Sequence, residues 1–256
     1  LSFSQVFQAG KYAIILMLFT LTTAFGVGYL CKKVFKINWK LASLLSISTA
    51  ICGGTAVATL GPTIKAKHRD IAYAISATFI FDLFTVIAFP WIGQLLNMTD
   101  TSYGLWIGTA VNDTSSVVAA GYAFSDVAGS LATIVKLTRT LFIVPIVLIF
   151  SWIYARKETT SPTDRVNIKQ IFPWFIGGFL IVVAINSTGI IPSLMVNQLS
   201  FLSKFFLSMA LAAIGLRTSI KEVAGVGITP MIAGVIIDTS VVIVSFLAQS
   251  WIVSAF

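Results

Sequence analysis

Charged side chains are scarce in this sequence, and their scarcity indicates its broad class. Only 10% of the 256 residues are charged and 57% are hydrophobic, and the mean hydropathy is +0.95. Soluble domains carry about 25% charged residues, and the core of a soluble protein could not hide this much apolar surface. The sequence therefore predicts an all-α integral membrane protein.

Histidine and cysteine are also nearly absent. The one histidine, His68, lies in a basic loop, so the chain lacks both the HExxH pattern of zinc hydrolases and a Ser–His pair within an apolar stretch. The GxGD pattern of intramembrane aspartyl proteases is missing too, and Cys31 and Cys52 are too few for a disulfide framework. We therefore expect neither an enzyme nor a bound cofactor or metal.

The net charge of +8 is distributed as in a membrane protein. Basic residues form short clusters between apolar runs, such as Lys32 to Lys40 and Lys65 to Arg69, and no nucleic-acid-binding module is visible. Cytoplasmic loops of membrane proteins are enriched in Lys and Arg. We expect the lipid bilayer, and not nucleic acid, to be the partner of these clusters.

Six stretches are long and apolar enough to span a bilayer, which takes roughly 17–25 mostly apolar residues. They cover about 12–30, 71–96, 128–155, 171–190, 200–216 and 228–254. The hydrophilic loop 156–170 divides a single transport unit, 1–256, into a first part, 1–155, and later spans within 171–256. The chain opens without an initiator Met, so we expect N-terminal spans to be missing.

Two further apolar stretches are interrupted. Residues 41–64 contain Gly53-Gly54 and Gly61-Pro62, which favour non-helical backbone, and 105–124 contain the polar run 112–116. Such a polar run is tolerable in a membrane only where it faces protein or a water-filled cavity. We therefore predict two discontinuous or re-entrant helical segments, whose breaks approach each other near the bilayer midplane.

The charge bias distinguishes two topologies for 41–64. If this segment crosses the membrane, Lys36 and Lys67 face opposite sides. If it is re-entrant, both face the cytoplasm together with Lys169, and Asp100 faces outward. The basic-residue rule favours the re-entrant topology, and a broken helix that crosses stays open.

Two internal similarities indicate a repeated architecture. LSFSQVFQAG at 1–10 resembles LRTSIKEVAG at 216–225, with an odd number of predicted spans between them. Copies on opposite sides of the membrane indicate an inverted-repeat transporter fold. The tetrapeptide GTAV occurs at both 54–57 and 108–111, which a repeat or chance explains equally well.

The polar run is the first candidate site. Asp, Ser and Thr are good helix N-caps, so the following VVAAGYAF is expected to start a half-helix inside the membrane. Its N–H groups and nearby hydroxyls could bind an anion, and the first break could contribute from the other side. Alternatively, both breaks serve packing alone. The candidate residues are Gly53, Gly54, Thr55, Asn112, Asp113, Thr114, Ser115 and Ser116.

Lys136 and Arg139 are the second candidate. If their helix begins near Val127, they lie roughly 14 and 18 Å along it, deep in the membrane. They share one helix face and need a carboxylate or an anionic substrate as a partner. Asp113 is the predicted partner, and a purely structural ion pair with Asp113 or Asp82 is the alternative.

Two acidic residues lie in the middle of apolar spans. Asp82 and Asp238 could each carry a proton, pair with a cation, or bind a break in the backbone. The sequence does not choose among these roles. Asp82 joins Asp113 and Lys136 as a candidate for ion coupling.

Several motifs together resemble one bacterial family over essentially the whole chain. They are ICGGTA at 51–56, NDT at 112–114 followed by VVAAG at 117–121, ATIVKLTR at 132–139, SKF at 203–205 and GLRTS at 215–219. The chain is similar in these motifs to a family of inner-membrane proteins named for sulfate export and otherwise described as conserved hypothetical proteins. The resemblance implies an inverted-repeat transporter related to cation–proton antiporters and bile-acid symporters, with two broken helices at the substrate site.

The chain departs from the family pattern at two positions. The resemblance implies His at position 112 and Gln at position 116, where this chain has Asn112 and Ser116. A proton relay through a histidine at 112 is therefore not available. Asn112-Asp113 instead resembles the Asn-Asp pair of some sodium/proton antiporters, which supports an alternative function.

These observations predict a secondary transporter that moves a small anion, such as sulfate or a related sulfur oxyanion, by alternating access. A proton or sodium ion would be the coupling ion, and the protein could form a homodimer. The alternative is a cation/proton antiporter that uses Asp113, and a channel or a non-transporting scaffold is a third possibility.

Overall fold

The computed structural model describes residues 3–157 and 228–255, with isolated positions between 181 and 209. Several predicted features lie outside the continuously described residues. They are the spans at 171–190 and 200–216, Lys169, and the second copy of the repeat at 216–225. Every regular element in the described part is an α-helix, as predicted. We number these helices α1 (Phe3–Val34), α2 (Trp39–Ala50), α3 (Gly54–Thr63), α4 (His68–Leu95), α5 (Asp100–Ala110), α6 (Thr114–Phe124), α7 (Asp126–Leu141), α8 (Ile143–Lys157) and α9 (Ile228–Ala255).

Four stretches of the described residues are long and apolar enough to cross a membrane. They are Ala13–Phe35, His68–Leu95, Asp126–Tyr154 and Ile228–Trp251. These ranges confirm four of the six predicted spans to within a few residues. Large apolar side chains such as Leu18, Phe84, Trp91 and Leu247 are exposed on them, as expected for helices whose solvent is lipid.

The segment 41–64 is re-entrant. Placed end to end, the 12 residues of α2 and the 10 residues of α3 would measure about 33 Å. Instead, the Nζ of Lys40 donates to the carbonyl oxygen of Lys65 at 3.2 Å. The two ends of the segment therefore lie together, and α2 and α3 form a hairpin, here called the first hairpin, whose tip is residues 51–53.

The segment 105–124 has the same form. Its helices α5 and α6 contain 11 residues each, and the hydroxyl of Ser125, after α6, donates to Asp100, at the start of α5, at 2.8 Å. The base of this second hairpin is therefore closed, and its tip is residues 111–113. Both predicted interruptions are confirmed.

The two hairpins enter the bundle from opposite ends. The 28-residue helix α4 follows the base of the first hairpin and precedes the base of the second, which separates the bases by about 42 Å. Lys40, Lys65 and Lys67 lie at one end, and Asp100 lies at the other. This places Lys36 and Lys67 at the same end, as the re-entrant topology requires.

Small residues allow the second hairpin to approach α7 closely. A Cβ added to Gly108 of α5 would lie 2.7 Å from the Cβ of Val135, and one added to Gly121 of α6 would lie 2.8 Å from the Cα of Gly129. Ala128 and Ala132 of α7 are fully buried in the same contact. Helices in membranes associate through such small-residue surfaces, so this packing fixes the basic face of α7 against the hairpin.

The two GTAV copies do not occupy equivalent positions. Residues 54–57 begin α3, after the tip of the first hairpin, whereas residues 108–111 end α5, before the tip of the second. The tetrapeptide therefore does not mark a structural repeat of the hairpins.

Candidate functional site

The tips of the two hairpins touch. Gly53 has φ +62° and ψ −125°, a conformation open to glycine and strained for other residues. A Cβ at Gly53 would lie 3.7 Å from the main-chain nitrogen of Asp113. The predicted approach of the two breaks is confirmed, and we call the contact region, residues 51–53 with 111–113, the tip junction.

The junction lies level with the middle of α4. Asp82, 14 residues after the start of α4 and 13 before its end, accepts hydrogen bonds from the main-chain N–H groups of Asn112 and Asp113, both at 3.0 Å. The Asp82 side chain is 2% exposed. A carboxylate that binds two consecutive N–H groups satisfies donors that would otherwise be unpaired in an apolar environment.

The Asp113 carboxylate caps the helix that follows it. It accepts from the main-chain N–H groups of Ser115 at 2.8 Å and Ser116 at 3.4 Å, and from the Ser115 hydroxyl. The prediction that a half-helix begins here is confirmed. However, its first N–H groups are already paired with a carboxylate, so the expectation that they are free to bind an anion is wrong for Ser115 and Ser116.

The basic pair binds main-chain oxygens. Lys136 donates to the carbonyls of Ile51 at 2.5 Å and Val111 at 3.1 Å. Its side chain is fully buried. Each carbonyl belongs to a different tip, so one ammonium group joins the two hairpins.

Arg139 makes a similar connection one turn further along α7. Its guanidinium donates to Ala50 at 2.6 Å, to Thr109 at 2.5 Å, and to the carbonyl of Thr49. These carbonyls end α2 and α5, where a helix carries partial negative charge and lacks internal donors. The basic pair therefore neutralises two converging helix C-termini.

The predicted pairing of Lys136 with Asp113 is wrong. Lys136 is occupied by carbonyls and Asp113 by the start of α6, and Asp82 is likewise occupied by main-chain N–H groups. The physical reason is that a broken helix exposes its own main-chain charges. Both basic and acidic side chains bind these groups in preference to one another.

Asp238 completes the junction from α9. Its Oδ1 accepts from the Thr49 hydroxyl at 2.5 Å and from the Asn112 side-chain amide at 2.9 Å. Asp238 is 1% exposed. The sequence left its role open and did not identify Thr49, although polar residues in apolar α2, namely Ser46, Ser48 and Thr49, were a signal that this helix faces polar groups.

The remaining predicted residues are more accessible than the buried groups of the junction. Thr55 is exposed, and Gly54, Thr114, Ser115 and Ser116 are partly buried. No side chain caps the start of α3. Among the described residues this helix end has no hydrogen bond from an N-cap side chain, and the main-chain N–H of Ala56 in its first turn faces the sulfur of Cys52.

Charge at the junction does not balance within the described residues. Three carboxylates, of Asp82, Asp113 and Asp238, meet two cations, those of Lys136 and Arg139. With all five groups ionised the net charge is −1. The described part contains no group of three or more His, Cys, Asp or Glu side chains able to hold a metal ion.

Sequence comparison assigns this chain to a family. The profile of conserved hypothetical protein 698 matches residues 1–234. The chain belongs to this family. A UPF0324 membrane protein of Clostridium tetani is 59% identical over 97% of this chain and 76% of its own length. A UPF0324 membrane protein of Streptococcus agalactiae serotype V is 35% identical over 98% of this chain and 76% of its own length.

No solved structure matches the chain. The relatives are named as membrane proteins, and the four apolar spans agree with that name. This chain is thus a multi-pass membrane protein, and the names of its relatives give no substrate.

Proposed function

We propose that this chain is the transport core of a secondary transporter that moves a small anion across the membrane by alternating access. The observation that carries the proposal is the tip junction itself. Two hairpins from opposite ends of the bundle meet at mid-depth, where interrupted helices would be costly without a function or strong compensation. Transporters place their substrate sites at such half-helix ends.

The start of α3 is the proposed position of the anion. It has no side-chain cap, and helix N-termini attract anions through free N–H groups and partial positive charge. Gly54 and Thr55 lie at this end with partial or full exposure. The hydroxyls of Thr114 and Ser116 lie near the second tip and add donors suited to an oxyanion such as sulfate.

The basic pair contributes to this site from a distance. Lys136 and Arg139 are committed to carbonyls, so they would not ligate the anion directly. Their positive charge, in a poorly solvated region, offsets most of the repulsion that the three junction carboxylates would exert on an anion nearby. They also hold the two tips together. Movement of either hairpin away from these contacts would open the site toward one end of the bundle.

Cation/proton exchange is the second candidate function. It is favoured by the excess of carboxylates at the junction and by the full engagement of both basic side chains. In this alternative Asp113, which is partly buried, would exchange the cation.

Flux measurements in proteoliposomes test both candidates. Labelled sulfate, labelled sulfite and sodium would be compared side by side, with and without a pH gradient. We expect uptake of at least one sulfur oxyanion, reduced by about tenfold in Thr55→Ala, which corresponds to the loss of one hydrogen bond to a charged group.

Thr59→Ala is the matched control, since Thr59 lies one turn later in α3 and its hydroxyl bonds the carbonyl of Thr55. Equal loss in both variants would argue against the anion position. Sodium–proton exchange without anion flux would replace the first proposal by the second. No flux of any tested ion would contradict both for these substrates.

A further inference from the structure

The hydrogen bonding of Asp238 is incomplete for an ionised carboxylate. Both donors, the Thr49 hydroxyl and the Asn112 amide, reach Oδ1. The second oxygen, Oδ2, is buried and has no hydrogen-bond partner within the described part of the chain, and the same holds for Oδ1 of Asn112. A bare carboxylate oxygen in a dry environment is costly, so this geometry disfavours the charged form.

The Thr49 hydroxyl can serve either protonation state of Asp238. Its oxygen lies 2.5 Å from Asp238 Oδ1 and 3.2 Å from the carbonyl oxygen of Leu45. One hydroxyl proton makes a full-strength hydrogen bond to only one of these acceptors at a time. When Asp238 is ionised, Thr49 donates to it. When Asp238 is protonated on Oδ1, it donates to Thr49, which turns its own proton to Leu45.

The charges around Asp238 favour the uptake of one positive charge. Asp82 on α4 repels its negative charge, and Arg139 on α7 attracts it. Asp113 beside α6 and Lys136 on α7 are the other charged groups of the junction among the described residues. Of the other described helices that pack against α9, which are α1, α2 and α5, none carries a charged residue in 13–30, 41–50 or 101–110. One proton changes the net charge of the junction from −1 to zero.

We propose that Asp238 binds and releases one proton inside the tip junction, with Thr49 as the acceptor of its hydrogen bond in the protonated state. The proton is taken from water, which leaves a neutral carboxylic acid, and it returns to water on release. The proposal rests on the proposed function only in naming this the coupling proton. In cation/proton exchange the same group would carry the exchanged proton.

Infrared difference spectroscopy of the protein in lipid nanodiscs tests the proposal without transport. Spectra taken over a pH series would show the carbonyl stretch of a protonated carboxylic acid. We expect this band in the wild type and its loss in Asp238→Asn. Asp70→Asn, which removes a carboxylate from the first turn of α4, should retain it.

The Thr49 variants test the hydrogen bond and remain informative if Asp238→Asn does not fold. Thr49→Val removes the acceptor and should change the frequency of the band, whereas Thr49→Ser should preserve it. A band that survives in Asp238→Asn but disappears in Asp82→Asn would move the proton to Asp82 and overturn the proposal. Absence of the band at every pH would overturn it as well.

Sodium gives the last comparison. Replacing choline chloride by sodium chloride at constant pH should leave the band unchanged. Loss of the band on adding sodium would show that a metal cation competes for Asp238 and would overturn its assignment to a proton alone. Because these outcomes concern binding, they are separate from the flux results that test the proposed function.

Discussion

Arg139 donates its Nε proton to the carbonyl oxygen of Ala50 at 2.6 Å, at the end of a half-helix that stops inside the bundle. The same guanidinium donates to the carbonyl of Thr109 at the end of α5, the half-helix that enters from the opposite end of the bundle. A guanidinium presents five donors in a planar fork, so one side chain can pair with carbonyls from both hairpins. The contact explains why a cation is placed here although none of the described carboxylates binds it.

Arg139→Ala should therefore be strongly destabilising. It leaves the carbonyls of Thr49, Ala50 and Thr109 without this donor, at about 1–3 kcal/mol for each buried group left unpaired. Arg139→Lys should give an intermediate loss, because lysine keeps the charge but not the fork. Thermal unfolding in detergent measures the effect. Arg69→Ala, at an exposed position, is the control, and equal unfolding temperatures for Arg139→Ala and Arg69→Ala would show that the carbonyl contacts are dispensable.

Asp82→Asn should destabilise the second tip. Asp82 uses one oxygen for Asn112 and the other for Asp113, and an asparagine has only one oxygen, so its amide NH₂ would face an N–H donor. We expect a loss of about 1–3 kcal/mol, measured by thermal unfolding against Asp70→Asn on the same helix. An unfolding temperature no lower than that of Asp70→Asn would contradict the two-oxygen contact.

Gly53→Ala should be destabilising for backbone reasons alone. The added Cβ would meet its nearest atoms at 3.7 Å, an ordinary contact distance, but φ of +62° with ψ of −125° is a sparsely populated conformation that costs an L-residue about 1–3 kcal/mol. Gly26→Ala is the matched control, since Gly26 lies in helix α1 with nothing within 4 Å of its added Cβ. That variant should be neutral or gain up to about 1 kcal/mol. Similar unfolding temperatures for both variants would indicate that the first tip relaxes freely.

The sidedness of the first hairpin can be tested by labelling. In a background without Cys31 and Cys52, which are both buried, Lys36→Cys and Lys67→Cys should react with an impermeant maleimide only after the cells are permeabilised. Asp100→Cys should react in intact cells. The expectation follows from the shared end of Lys36 and Lys67 and from the basic-residue rule. Labelling of Lys67→Cys in intact cells, with Lys36→Cys protected, would instead mean that 41–64 crosses the membrane.

The positions of the breaks could be predicted because their causes are local. Gly53-Gly54 and the run 112–116 are unsuited to a continuous helix in lipid, and both interruptions occur there. The depth of Lys136 in the membrane could also be predicted, because it lies in the middle of a long apolar stretch and a helix rises 1.5 Å per residue.

The partners of the charged residues could not be predicted in the same way. Opposite charge predicted that Lys136 pairs with Asp113. Every residue has a main-chain carbonyl, however, so the sequence does not show which carbonyls bind a cation. Whether a carbonyl is free depends on where a helix ends, and whether a lysine reaches it depends on how the helices pack. The Gly108 and Gly121 contacts with α7 decide this, and they are tertiary.

The sequence by itself determined that this is an integral membrane protein, that two of its apolar segments are interrupted, and that charged residues of both signs lie within its apolar stretches. Those properties follow from composition and from the cost of burying polar groups. Only the tertiary structure decided between a re-entrant and a crossing path for 41–64, and only it showed which groups meet at the tips, such as Asp238 and Asn112, 126 residues apart in the chain. The physical reason is that a polar group buried in an apolar environment needs a hydrogen-bond partner, whereas the packing of distant segments determines which group becomes that partner.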